Sequence, residues 1–183
     1  MTPWSAVFSK APTKGQSIWA RRRAAAAKLS GMALTGLALA SAAGSKPLPQ
    51  YATLRMAPVT ARGGPGESYR ALWRYATEGL PLQVVQASGD WRRVCDPEGG
   101  LSWVRAEALE DRRTVMRVKR GDLAMRAEPG ESARAVAVLA ARATAEMLES
   151  RGDWRRITVD HATGWIRSGE VWGGSDAPQC QGR

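Results

Sequence analysis

The chain of 183 residues is poor in the side chains that carry most metal and acid–base chemistry. It has one histidine, His161, and two cysteines, Cys95 and Cys180. These three residues cannot supply the four nitrogen and sulfur ligands of a structural zinc site. No glycine-rich phosphate loop is present either, because the PGES motif lacks the lysine that phosphate binding needs. We therefore predict no metal, no cofactor and no catalytic centre.

Acidic residues are absent from residues 1–42, which carry six basic residues. Without those six charges the formal net charge of +10 falls to +4, an ordinary value for a small domain. No DNA- or RNA-binding signature accompanies the remaining charge. We therefore expect no nucleic-acid partner.

The N-terminal segment has the pattern of a signal peptide. Its basic residues are followed by an uncharged apolar run over residues 29–42, shorter than the ~20 residues that a membrane-spanning helix needs. Small residues at 38–42 fit the A-x-A cleavage pattern. We predict a cleaved signal peptide over 1–42, a flexible mature N-terminus over 43–50, no stable membrane span after cleavage, and a periplasmic or secreted protein. An uncleaved anchor or an amphipathic helix is the alternative.

The remainder of the chain repeats itself. Three blocks occur twice in the same order, at offsets of 64, 63 and 62 residues, which indicates two copies of one unit. The matching blocks are Ala61–Ser68 with Met125–Ser132, Gly89–Val94 with Gly152–Ile157, and Gly100–Arg105 with Ala162–Arg167. We place repeat 1 at 51–110, repeat 2 at 114–173 and a C-terminal tail at 174–183.

Each unit has the signals of short strands and turns. In repeat 1, β-rich runs alternate with turn sequences such as Ser88–Asp90, and one helical turn is expected over Ala106–Leu109. In repeat 2, the alanine-rich segment 135–149 has helix propensity. Its counterpart in repeat 1 contains Pro81, which argues against a continuous helix. We therefore predict strands in both copies.

The motifs R-x-x-P-G, G-D-W-x-x-V and G-W-V resemble the bacterial SH3 domain. They read Arg62–Gly66, Gly89–Val94 and Trp103–Val104 in repeat 1, and they recur in repeat 2. The resemblance implies an all-β chain of two tandem small SH3-like barrels behind a cleaved N-terminal signal segment. It also implies a binding module, in a family whose members often bind cell-wall peptides and are often attached to a peptidase or amidase domain. No such domain is expected here.

Aromatic residues differ between the repeats. Tyr69, Trp73 and Tyr75 stand where repeat 2 has alanine or leucine, so the shared fold does not require them. Their numbers have the same parity, which predicts one stripe on a strand, with Arg70 and Arg74 on the opposite face. The stripe is a candidate ligand-binding groove, and packing against repeat 2 is the alternative. Four tryptophans occur at matching positions and are expected to pack the repeat cores: Trp91, Trp103, Trp154 and Trp165.

Paired arginines follow the first conserved tryptophan of each repeat, at 92–93 and 155–156, and more basic residues lie at 112–120. Two interpretations remain open: charge that protects solvated edge strands, or arginines that grip an anionic partner.

The two cysteines would both enter an oxidising compartment, which predicts a Cys95–Cys180 disulfide that ties the tail to repeat 1. Two free thiols are the alternative, because geometry decides such a bridge. A Cys95–His161 nucleophile–base pair is not expected, because the two residues belong to different repeats.

The sequence thus predicts a non-enzymatic exported binding module whose partner is a cell-wall (peptidoglycan) peptide or an envelope protein. A periplasmic protein–protein adaptor is the first alternative. An accessory to a cell-wall hydrolase, or an enzyme, is the second.

Overall fold

The computed structural model of the protein describes residues 47–180. The predicted signal segment, residues 43–46 of the predicted mature N-terminus and the last three residues of the tail lie outside this range. Within it, no helix has the length and apolar character needed to cross a bilayer.

The first barrel is a seven-stranded antiparallel sheet in the order β3-β2-β6-β5-β4-β1-β7. One 3-10 turn, Ala106–Ala108, precedes its last strand. Gly89 takes the positive φ that the two-residue turn between β4 and β5 requires, which explains the glycine of the G-D-W motif. The strands are β1 Gln50–Leu54, β2 Val59–Arg62, β3 Ala71–Tyr75, β4 Pro81–Ser88, β5 Trp91–Cys95, β6 Leu101–Arg105 and β7 Leu109–Glu110.

The second barrel repeats this topology with six strands in the order β10-β9-β13-β12-β11-β8. A bridge between Met116 and Trp172 takes the place of the β1–β7 pairing. The alanine-rich segment forms two strands, as the repeat alignment predicts, and the predicted fold class is confirmed. The strands are β8 Thr114–Met116, β9 Leu123–Arg126, β10 Ala135–Leu139, β11 Thr144–Arg151, β12 Trp154–Val159 and β13 Ala162–Arg167.

Each barrel encloses its own apolar core, formed by side chains that alternate inward along the strands. The first core contains Leu54, Leu82, Val84, Val94 and Val104, all at most 1% exposed. The second contains Val115, Met125, Leu139, Ile157 and Ile166, which are equally inaccessible. Two separate cores explain why each repeat has a complete set of apolar strand positions.

The two barrels pack directly against each other within one compact unit. The hydroxyl oxygens of Thr53 on β1 and Thr114 on β8 lie 2.9 Å apart, and both residues are buried. The Thr53 hydroxyl donates to the carbonyl of Arg112, so it can accept from Thr114. The hydrogen bond between the two hydroxyls gives each buried group a partner at the contact between the barrels.

The C-terminal tail crosses from the second barrel to the outer face of the first. The Tyr51 hydroxyl donates to the carbonyl of Ala177 at 3.1 Å, and the Cys180 backbone N–H donates to the Gln83 side chain at 2.8 Å. The predicted disulfide between Cys95 and Cys180 is present in the structure, with the two Cα atoms 6.3 Å apart. The tail therefore joins the barrels covalently.

Candidate functional site

Of the four tryptophans that the repeats share, Trp91, Trp103 and Trp165 are buried and Trp154 is half-buried, although none of them belongs to the two apolar clusters described above. Alternation along β5 places Trp91 on the face opposite the core residue Val94. There the Arg105 guanidinium lies 4.9 Å from the Trp91 ring centre. In repeat 2, Arg167 lies 4.7 Å from Trp154. Of the remaining two, Trp165 has the Arg151 guanidinium 5.0 Å from its ring centre.

The same arginines explain why both repeats contain the R-x-x-P-G-E-S motif. Glu67 accepts from Arg105 at 2.9 Å and from Arg62 at 2.6 Å. These hydrogen bonds lower the pKa of Glu67, and the bond from Arg105 has the largest effect. Desolvation of the carboxylate opposes the shift. In repeat 2, Glu131 pairs with Arg167 at 2.7 Å. Because both barrels build this arrangement, we assign it to the fold and not to a ligand.

The arginine pairs lie on β5 and β12, which are internal strands, so the edge-protection interpretation is wrong for these pairs, whereas residues 114–116 form the edge strand β8. Arg92 donates to the carbonyl of Gly89 at 2.8 Å and closes the hairpin turn. Arg155 makes the equivalent bond to Gly152 and also binds the tail, through the Gly174 carbonyl at 2.6 Å and the Asp176 carboxylate at 2.9 Å. Arg155 is therefore occupied inside the protein.

The basic residues at 112–120 are largely occupied as well. Arg113 binds Asp176 and the carbonyls of Gly173 and Ser175, while Arg117 and Lys119 share Glu170. Arg113, Arg117, Lys119 and Arg155 are therefore already paired with carboxylates of the protein itself.

The three repeat-1 aromatics do not form a single exposed stripe, which corrects that prediction. Tyr69 precedes β3, is 49% exposed and lies against Gly64. Trp73 is half-buried against the first core, not against repeat 2. Its ring meets that of Tyr75 edge-on at 6.1 Å. Tyr75 belongs to the first core and is 7% exposed.

Tyr75 anchors a polar network that repeat 2 lacks. Its hydroxyl lies 3.1 Å from the Asp96 carboxylate, to which it donates, and 3.2 Å from the Ser102 hydroxyl. Burial raises the pKa of Tyr75, so the phenol remains protonated at neutral pH. Asp96 also accepts from the backbone N–H groups of Glu98 and Gly100, which fixes the turn over 96–100.

A groove lies between the two barrels, beside this network. We call it the inter-repeat groove, and its volume is about 540 Å³. Tyr75, Leu80 and Met116 contribute apolar surface, and Val118 is 39% exposed there. The turns at 76–77, 96–98 and 142–144, together with Arg74, complete the walls.

Charged side chains from both barrels line the inter-repeat groove. Arg142, in the turn before β11, pairs with Glu98 of the first barrel at 2.6 Å, and both side chains are largely exposed. Arg74 also lines the groove, because the groove lies at the end of β3 where the chain enters a turn. Arg74 is exposed and Tyr75 is buried on β3, as the predicted alternation of faces requires, but both residues border the groove.

Arg142, Glu98 and Met116 line the groove although no sequence pattern predicted them as site residues. The comparison of the two repeats contains a signal for Arg142 and for Arg74, because Arg142 aligns with Gly79 and Arg74 aligns with Val138. Each arginine occurs in one repeat and not in the other, as do the candidate aromatics Tyr69, Trp73 and Tyr75.

Other reactive groups do not combine into a centre. Cys95 is in the disulfide, so it cannot act as a nucleophile with His161. His161 lies in the turn between β12 and β13. Among residues 47–180, no three His, Cys, Asp or Glu side chains are grouped to hold a metal ion.

The sequences of both barrels match a known family of domains. The family model for the bacterial SH3 domain matches residues 56–111 and 119–173. A Bacillus subtilis protein, YrvJ, named as an N-acetylmuramoyl-L-alanine amidase, is 25% identical over 63% of this chain, and the match spans 24% of that protein.

Two solved structures from Trichomonas vaginalis, NlpC2 and NlpC1, are 14% and 16% identical to the chain. The matches cover 70% and 72% of this chain, and 49% and 48% of those chains, each with a TM-score of 0.32.

Proposed function

Because the chain belongs to the bacterial SH3 domain family, with two copies in tandem, we propose that it is a non-enzymatic module that binds cell-wall peptides in the inter-repeat groove. The observation that carries the proposal is the groove itself, which has an apolar floor and charged residues from both barrels. Ligand sites in proteins are typically concave and mostly apolar with a few placed polar groups.

The dimensions of the groove suit a short peptide. Its volume of about 540 Å³ lies within the range of ~300–1,000 Å³ that small-ligand sites occupy. Contributions from both barrels explain why a single copy would not suffice. The disulfide and the tail hold the barrels together, so the groove is largely formed before a ligand arrives.

A cell-envelope location supports the choice of ligand. The Cys95–Cys180 bridge fits an oxidising compartment such as the periplasm or the exterior. The predicted signal peptide would deliver the chain there. The name of the Bacillus subtilis relative connects such domains with peptidoglycan.

A role as accessory to a cell-wall hydrolase is a second candidate. The match to that relative covers only a quarter of its length, so its activity belongs to this chain only if a catalytic partner supplies it. A protein–protein adaptor is the rival class. Pull-down from an envelope extract in the absence of sacculi would favour the adaptor.

Co-sedimentation of the full chain with purified sacculi tests the proposal. The variant Thr77→Trp places an indole at an exposed position on the groove wall. Ser132→Trp places the same indole at an exposed position outside the groove and is the matched control. We expect wild type and Ser132→Trp to sediment and Thr77→Trp to remain in solution. A wild-type chain that stays in solution, or a Thr77→Trp chain that still sediments, contradicts the proposal.

A further inference from the structure

Arg142 occupies a backbone position that favours glycine. Its φ is 65°, and the matching residue in repeat 1 is Gly79 at 78°. The two residues make equivalent hydrogen bonds: Arg142 N–H donates to the Arg117 carbonyl at 2.8 Å, and Gly79 N–H donates to the Leu54 carbonyl at 2.9 Å. An arginine costs free energy at this position that a glycine does not.

The arginine gains little stability in return. Its one ion pair, to Glu98, joins side chains that are 66% and 71% exposed, and such pairs are screened by solvent. A residue that is unfavourable for the backbone and weakly paired is better explained by a role in binding than by a role in folding.

Arg74 lines the same groove and is also absent from the other repeat, where Val138 stands in its place. Within the described part of the chain, its side chain makes no hydrogen bond or ion pair. Asp96, the other acid of the groove wall, is buried and already accepts three hydrogen bonds. The groove therefore presents two arginines, of which only Arg142 has an acidic partner.

The Arg142 guanidinium already pairs with one carboxylate, that of Glu98. The two groups lie 2.6 Å apart, and both residues line the groove together with Val118, which is 39% exposed. A carboxylate on a ligand could take the place of the Glu98 carboxylate while an adjacent small apolar side chain covers Val118. Arginine is suited to this exchange because its fork binds carboxylates through paired hydrogen bonds.

We propose that the inter-repeat groove recognises the free carboxylate of a peptide through Arg142 and Arg74, and that Glu98 occupies this position in the unliganded protein. The proposal deepens the proposed function and names the part of the peptide that the groove binds. Glu98 then acts as an internal competitor that a ligand displaces.

The test uses a soluble probe, so that it does not depend on binding to sacculi. N-acetyl-trialanine and its C-terminal amide differ only in the carboxylate. Each is titrated into the 15N-labelled full chain and followed by NMR. We expect the free acid to shift the signals of Arg142 and Thr144, and the amide to leave them unchanged.

Three variants extend the titration. Arg142→Gly restores the residue of repeat 1 and should raise the Kd of the free acid about tenfold or more, through the loss of charge-assisted hydrogen bonds. Arg74→Val introduces the residue of repeat 2 and should also raise the Kd. Glu98→Gln should lower the Kd by about twofold or more, because Arg142 is then available more of the time.

A thermal melt separates binding from folding. Arg142→Gly should melt at the wild-type temperature or above, because glycine relieves the backbone. Equal shifts with acid and amide, or wild-type affinity in Arg142→Gly, overturn the carboxylate proposal. Binding of the acid by a chain that fails to sediment with sacculi overturns the proposed function and leaves carboxylate recognition standing.

Discussion

The disulfide between Cys95 and Cys180 provides the sharpest test of how the two barrels are held together. The bridge closes a loop across a sequence separation of 85 residues. Loop-closure entropy for a bridge of this span predicts a stabilisation of about 4–5 kcal/mol. Cys180→Ser should therefore lower the free energy of unfolding by about 4 kcal/mol, mainly by releasing the unfolded chain.

Guanidinium unfolding of oxidised wild type and of Cys180→Ser measures this difference by linear extrapolation. The variant should also show a larger dependence on denaturant, because its unfolded chain exposes more surface. Reduced wild type is the matched control, since it keeps both side chains and should behave like the variant.

A loss below about 1 kcal/mol would refute the reasoning, because the expected entropic gain would then be offset elsewhere. The remaining tail contacts, from Tyr51, Gln83 and Arg155, would be the next place to search. A reductant that leaves wild type unchanged would show that the bridge does not form in solution.

Three further predictions concern individual residues. Arg155→Ala should lower the free energy of unfolding by about 2–3 kcal/mol, because the tail then loses its buried charged partner. Arg92→Ala, the matching variant in repeat 1, should lower it by about 1 kcal/mol in the same denaturant assay. The double variant Asp160→Asn, His161→Gly should stabilise the protein by about 0.5–1 kcal/mol in a thermal melt. Both residues have positive φ in a two-residue hairpin turn, and such turns favour Asn-Gly. A lower melting temperature would contradict this prediction. Hydrogen bonds from Lys119 and Arg117 lower the pKa of Glu170, so the ionised carboxylate stabilises the fold above pH 4.5, and this stabilisation is lost as the pH falls through the lowered pKa. Glu170→Gln should therefore make the melting temperature less dependent on pH in that window. An unchanged dependence on pH would count against the pairing.

The repeat pattern determined the fold. Blocks that recur in order defined the two units, and turn residues such as Gly89 and Gly152 marked the hairpins, because local geometry demands positive φ there. The same comparison overruled the helix propensity of residues 135–149. These features are local or periodic, and the sequence displays them directly.

The roles of the aromatics depended on packing that spacing does not reveal. Trp91 is buried with Arg105 over its ring, and Trp154 is half-buried with Arg167 over its ring, and the spacing of tryptophans in the sequence does not reveal these contacts. Tyr75 is buried, and its hydroxyl lies 3.2 Å from that of Ser102, whereas Ala61 is a small residue of the same core. In repeat 2 the corresponding positions hold Met125 and Gly164, where an added Cβ would lie 2.8 Å from the Met125 Cβ.

The candidate site was decided by tertiary structure alone. Sequence comparison within each repeat treats the two copies separately, whereas the inter-repeat groove exists only where they meet. Arg142, Glu98 and Met116 come together there from different barrels. The sequence by itself determined two barrels, their turns and the pair of cysteines. Their packing decided which residues face each other across the groove, because that depends on side-chain volumes and contacts between segments far apart in the chain.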